Sequence, residues 1–167
     1  MDPLDDHDLR SAFVNCSKGE ARRISLPRGL AELPWADLDF LGWRDPGAPD
    51  RGYLVAPRGD EVIGVTLRVP QGGPRSFVKT TICSLCLTGH PGSGVSLLAA
   101  RRVGARGRDG DTVGAYMCAD LACPLYVRGR KTSALVSRYR ESLTVEERVD
   151  RMLANVADFL GKVLAEG

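Results

Sequence analysis

Four of the five cysteines stand in two close pairs, Cys83-Ser-Leu-Cys86 and Cys118-Ala-Asp-Leu-Ala-Cys123. That pattern restricts the fold more than any other feature of the chain. A soft tetrahedral Zn²⁺ site needs four thiolate or imidazole donors within about 2.3 Å of one ion. A Cys-x-x-Cys turn supplies two of them, and a second pair must come from elsewhere in the fold. The competing uses of these thiols fit less well. A disulfide framework requires an oxidising compartment, and the acidic start Met1-Asp2-Pro3-Leu4-Asp5-Asp6 lacks the basic and then apolar stretch of a secretory signal. A redox pair at Cys83 and Cys86 leaves Cys118 and Cys123 unexplained, and buried core thiols have no reason to cluster. One Zn²⁺ on Cys83, Cys86, Cys118 and Cys123 is therefore expected. Four thiolates fill its coordination shell, so the metal is structural. Cys16 is read as a partly buried helix-face residue outside the site.

At 167 residues and 43% hydrophobic content, one compact unit is expected. No apolar run approaches the length of about 20 residues that a membrane-spanning helix needs, so a soluble domain is expected, and with no secretory signal a cytoplasmic one. The net charge of +2 conceals an uneven distribution. Residues 1–74 hold twelve Asp/Glu against nine Lys/Arg, whereas residues 75–140 hold eleven Lys/Arg against three Asp/Glu. The positive charge thus falls on the cysteine-bearing region, where Arg101, Arg102, Arg128, Arg130 and Lys131 interleave with Tyr116 and Tyr126. Those seven residues form the candidate partner contact, suited to an acidic protein surface or to RNA phosphates.

Along the chain, Asp6 to Val14 reads as a short amphipathic helix, and Ser17-Lys-Gly-Glu20 has the spacing of a capping box opening another. Trp35 and Trp43 are core anchors, and Asp37, Asp39 and Asp45 are turn-capping rather than catalytic carboxylates. Tyr53–Pro57 and Glu61–Val69 are paired strands around Arg58-Gly59-Asp60, and Val62, Val65 and Leu67, with Ile63 interrupting, suggest a sheet face partly buried on both sides. Gln71-Gly-Gly-Pro74 breaks the chain. Phe77-Val78 and Thr80-Thr81-Ile82 run into the first cysteine pair. His90, in a Gly-rich turn, is a conceivable fifth donor, but both pairs are already complete and it is read as a surface residue. Val95–Val103 and Thr112–Met117 form a hairpin around a turn-rich loop at Gly104–Asp111, and its second strand delivers Cys118. A helical turn then carries Cys123. Thr144 and Glu147 cap a last helix with an apolar stripe at Val145, Val149, Met152, Val156, Phe159 and Val163.

The expected fold is therefore α+β: small antiparallel sheets, a treble-clef zinc finger with four cysteine ligands, and a long C-terminal helix. A zinc ribbon is the structural alternative. Residues 1–74 form an N-terminal α/β portion packed on a zinc module at 75–167. No nucleophile–base pair or phosphate loop emerges, so an enzyme is not expected.

The runs Phe13-Val-Asn-Cys-Ser-Lys-Gly-Glu20 and Leu38-Asp-Phe-Leu-Gly-Trp-Arg-Asp45, with the two cysteine pairs, carry a family resemblance. The chain resembles the elongation factor G-binding, treble-clef zinc-finger (FBP) family, which includes the FusB-type fusidic acid resistance proteins. The resemblance implies an adaptor that grips translation elongation factor G through its zinc domain and promotes its release from the ribosome. FusB-type proteins carry an N-terminal helical bundle with no full equivalent here. The alternative function is a zinc-dependent RNA- or ribosome-binding module.

Overall fold

The computed structural model describes residues 1–70, 80–135 and 141–165. The expected break at Gln71–Pro74 and the strand residues Phe77 and Val78 lie outside them. The first three strands are β1 (Leu41–Asp45), β2 (Ala48–Arg58) and β3 (Glu61–Arg68). A short pair follows, β4 (Thr80–Ile82) and β5 (Gly89–Pro91), and then β6 (Val95–Arg101) and β7 (Thr112–Cys118). Five of them make one antiparallel sheet in the order β1-β2-β3-β6-β7, drawing strands from both sides of residue 74. Arg58 opposes Glu61, so Gly59-Asp60 closes a two-residue turn, with Gly59 at φ +62° where a side chain would be strained. Only Arg68 and Ala99 are in register between β3 and β6. Asn15 bridges the gap beside them: its Nδ2 donates to the carbonyls of Thr66 and Arg101 at 3.1 Å each, and its Oδ1 accepts from Thr66 N at 2.8 Å.

Both faces of β2 and β3 are covered along their central residues, as the alternation along β2 records. Tyr53 and Val55 enter one core with Leu9, Phe13, Trp35, Leu38 and Trp43, while Leu54 and Ala56 enter the other with the four cysteines. On β3 the sequence expectation needs correction. Ile63, Val65 and Leu67 share the cysteine-side core, and Val62 is the residue that turns to the opposite face. A period of two puts 63, 65 and 67 together, so Ile63 continues the stripe.

The first core is roofed by α1 (Asp6–Ala12) and α2 (Lys18–Arg22). Both bonds of the expected Ser17–Glu20 capping box are present, and Asp5 with Asp8 makes a second one for α1. Phe13 stacks edge-on against Trp43 and Tyr53 at 6.3 and 5.8 Å, and Val14 N donates to Gly64 O at 3.0 Å. Each indole N–H finds a carbonyl, Trp35 at Leu30 and Trp43 at Ser25. The tryptophans are therefore satisfied core anchors.

The other core is closed by the last helix. The loop expected at Gly104–Asp111 contains a helical turn, α3 (Gly104–Arg108), and Cys118 leads through a bend to α4 (Cys123–Val127). The C-terminal helix is α5 (Val145–Leu164), opened by the Thr144–Glu147 box. Met152, Val156, Phe159 and Val163 of the expected stripe are buried, Leu160 joins them, Val149 is half-buried and Val145 is exposed. Each fully buried apolar side chain of this kind contributes about 1.5–3 kcal/mol of transfer free energy. Among the described residues no helix is long and apolar enough to cross a membrane.

The second cysteine loop is seated on the sheet by a glycine. A Cβ on Gly42 of β1 would lie 2.6 Å from Leu121 O and 2.7 Å from Leu121 Cβ. Leu121 is fully buried there at φ +58° and has no room to retreat. Gly42→Ala should therefore destabilise the protein by about 1–3 kcal/mol, as overpacking of a core does. Gly161→Ala, with nothing within 4 Å of the added methyl, should stabilise α5 by up to about 1 kcal/mol. Thermal denaturation of the two variants checks the opposite signs.

Candidate metal centre

The first pair is held by a backbone knuckle. Cys83 N donates to Thr88 O at 3.0 Å, and Leu87 N donates to Cys83 O at 2.9 Å. Leu87 reverses the chain at φ +59°, a conformation that costs a non-glycine residue about 1–2 kcal/mol. The turn aims amide hydrogens at sulfur, with Leu85 N 3.4 Å from Cys83 Sγ. The second pair joins two elements. Cys118 is the last residue of β7 and Cys123 the first of α4, and between them Asp120 accepts from Ala122 N at 3.1 Å while Leu121 takes the left-handed backbone.

These elements bring all four sulfurs together. The Sγ atoms lie within 4.8 Å of one another, and all four residues are buried. Cys83 and Cys123 are 3.7 Å apart, and Cys86 and Cys118 are 3.5 Å apart. A disulfide bond measures about 2.05 Å, whereas a tetrahedron with 2.3 Å metal–sulfur bonds has edges of about 3.8 Å. The spacing is that of a tetrathiolate metal site. Hydrogen bonds from Cys118, Cys123 and Cys86 hold the Cys83 thiol far below its ordinary pKa, and contacts with Cys118, Cys83 and Cys86 raise that of Cys123. The four thiols titrate as one coupled set, and shedding all of their protons together requires a bound cation. A knuckle, a hairpin and a helical start carrying the second pair make the treble clef, and set aside the zinc-ribbon alternative.

Around the sulfurs lies a shell of donors that the sequence reading missed. His90, expected at the surface, is buried, with Nε2 3.3 Å from Cys118 Sγ. Burial pushes its pKa down, and toward a metal-bound thiolate, which can only accept, Nε2 would be the donor. Gly94 makes room for it, since a Cβ there would fall 2.5 Å from His90 Cβ. Tyr126 packs edge-on against the imidazole at 4.7 Å and donates to Asp120 Oδ2 at 3.0 Å. Lys131 Nζ meets the same carboxylate at 2.6 Å. The Thr88 hydroxyl lies 3.3 Å from Cys86 Sγ and donates once that sulfur is ionised. The only signal for His90 was its place in the Gly-rich stretch Gly89-His-Pro-Gly-Ser-Gly94. Cys16, expected on a helix face, is half-buried in the bend between α1 and α2 and outside the metal cluster.

Four of the seven candidate partner residues are engaged in ion pairs within the chain. Arg128 forks onto Asp39, with Nη2 2.8 Å from Oδ1, and Arg130 Nε lies 3.1 Å from Asp37 Oδ2. Those pairs tie the segment after α4 to the loop before β1. Lys131 and Tyr126 belong to the shell around Asp120, and Arg102 pairs with Asp111 at 3.1 Å while donating to the Lys162 carbonyl. Arg101 and Tyr116 are exposed, and strand alternation with the Arg101–Thr112 pairing puts them on the same face of the sheet. Asp37 and Asp39 hold arginines, and Asp45 accepts from Tyr53 OH at 2.7 Å and Gly47 N at 2.9 Å.

Removing one sulfur should collapse the centre. Cys83→Ser or Cys118→Ser should abolish stoichiometric zinc and unfold the cysteine-side core, since structural zinc supplies about 10–16 kcal/mol of apparent binding free energy. Cys16→Ser should leave metal content unchanged. His90→Ala should keep one zinc per chain but bind it about 10–100-fold more weakly, as loss of an outer-shell donor does. Elemental analysis reads the first two, and competition with a chromogenic chelator reads the third.

A family model described as the FBP C-terminal treble-clef zinc-finger matches residues 8–163. No curated protein matches the chain. Among solved structures, that of the fusidic acid resistance protein FusC is similar at 16% identity and a TM-score of 0.49, over 89% of this chain. The chain spans 58% of the FusC chain's length. The family match takes in both cysteine pairs and the whole sheet, and the four sulfurs are positioned to hold one structural zinc. The chain belongs to the FBP C-terminal treble-clef zinc-finger family.

Proposed function

We propose that this chain is a cytoplasmic, zinc-stabilised adaptor that binds translation elongation factor G and promotes its release from the ribosome, as in fusidic acid resistance of the FusB type. The observation that carries the reading is the family match across residues 8–163, around a metal site whose four positions are all taken by protein sulfur. A filled thiolate shell offers no position for a substrate or an activated water, which supports a binding role without a catalytic step. The zinc would hold the knuckle, the end of β7 and the start of α4 as one rigid block. Recognition then falls to the surface that this block presents.

Affinity capture of elongation factor G from lysate, with and without nuclease, tests the reading. Capture that survives nuclease supports it, and capture that disappears with nuclease supports the RNA-binding alternative. With purified factor, association should slow as salt rises, because charge steering is screened over about 8 Å at physiological ionic strength. Structured RNA would instead lose affinity log-linearly with salt as condensed counterions are released. The purified chain should also speed departure of the factor from fusidic-acid-stalled ribosomes. No acceleration there and no binding at low salt would defeat the proposal.

A further inference from the structure

The ion pairs around Arg128, Arg130 and Lys131 leave the free positive charge elsewhere. Three adjoining cavities of about 350, 350 and 360 Å³ share Cys16 and Glu20 in their walls. They form one crevice between the Cys16–Glu20 segment and the sheet, lined by Arg23, Arg51, Arg68, Arg101, Arg102 and Arg108. Among the described residues only Arg102 of these six has a carboxylate within 4.0 Å. The other five are exposed.

Folding does not explain their placement. Arg51 and Arg68 oppose one another across β2 and β3, and directly opposed like charges destabilise a strand pair. Arg68 in turn opposes Ala99, and Arg101 is two residues further along β6, so all three arginines share one face. Guanidinium groups are planar forks that match carboxylate or phosphate at two points. A row in which five of six have no carboxylate within 4.0 Å among the described residues suits an extended anion.

The walls favour polypeptide over nucleic acid. Tyr53 is the one aromatic residue among them, and it is buried with its hydroxyl committed to Asp45, so bases find no exposed ring to stack on. Exposed Glu20 and Asp50 interrupt the arginines. A uniformly negative phosphate backbone would meet repulsion there, whereas a polypeptide can set a cation or a neutral side chain opposite each. Val14, Val69 and Val103 add apolar surface between the charges.

We propose that this arginine-lined crevice seats a carboxylate-rich segment of the protein partner. The inference rests on the reading that the partner is a protein, elongation factor G, and locates the contact on residues of both the N-terminal portion and β6.

The test uses the full zinc-loaded chain. A fluorescent peptide of alternating Glu and Ser, purified elongation factor G and an RNA duplex are each titrated at low salt against wild type, Arg68→Gln/Arg101→Gln and Arg58→Gln. Arg58 is exposed, lies outside the crevice and serves as the single-charge control. Zinc content and circular dichroism confirm that the variants fold. The double variant should bind both peptide and factor about tenfold or more weakly, while Arg58→Gln stays within about twofold of wild type. Peptide that fails to bind wild type, or that binds the double variant equally well, would overturn the proposal. So would tight duplex binding that the double variant abolishes, which would make the crevice a nucleic-acid site. Peptide bound through these arginines with no binding of the factor would uphold the crevice and defeat the functional reading instead.

Discussion

Everything on the cysteine side of the sheet depends on four sulfurs held at the corners of a tetrahedron. They belong to three pieces of chain: the knuckle at 83–86, the last residue of β7 and the first residue of α4. Each piece is also tied to a further element. Ser84 N donates to Tyr116 O at 2.7 Å, Asn155 of α5 donates to Leu85 O at 2.9 Å, and Leu121 sits against Gly42 of β1. The metal therefore fixes a hairpin, two helices and the edge strand of the sheet relative to one another. Without a cation the same sulfurs would be crowded, with protons on some and charge on others. The left-handed backbone at Leu87 and Leu121 is a cost that coordination energy of the order of 10 kcal/mol readily offsets.

The opposite charges of the two halves of the sequence partly neutralise each other. Asp37 and Asp39 come from the acidic first part and hold Arg130 and Arg128 from the basic middle part. The Arg128–Asp39 fork is mostly shielded from solvent, so removing either partner would leave a poorly hydrated charge. Charge reversal at Arg128 would consequently report on the docking of the halves as well as on any partner. Exposed pairs such as Lys162–Asp158 contribute little by comparison.

Much of this was legible in the sequence because it rests on local spacing. The cysteine pairs, the capping boxes at Ser17 and Thr144, the turn at Gly59 and the stripe on α5 all involve residues a few positions apart. The rest required knowing which distant segments meet. His90 reads as a loop residue until Gly94 and Tyr126 close over it beside Cys118. Ile63 is the exception, since strand alternation alone already groups it with Val65 and Leu67 and leaves Val62 out of step. The charge of residues 75–140 reads as a single patch until Asp37, Asp39, Asp111 and Asp120 are seen to occupy much of it. Charge counts along a chain carry no information about pairing across it.

The location of the unpaired arginines follows from how the sheet is joined. Strands β2 and β3 match residue for residue from Arg51–Arg68 to Arg58–Glu61, and β6 and β7 do the same from Val95–Cys118 to Arg101–Thr112. Between these two ladders only Arg68 and Ala99 are in register, and the Asn15 amide replaces main-chain bonds at Thr66 and Arg101. The segment carrying Asn15 and Cys16 lies along this sparsely paired seam. Strand ends from both ladders converge there, which brings arginines from β2, β3 and β6 to the rim of one crevice. The seam thus links the two parts of the chain through a side chain rather than a continuous ladder, and leaves the surrounding guanidinium groups facing solvent.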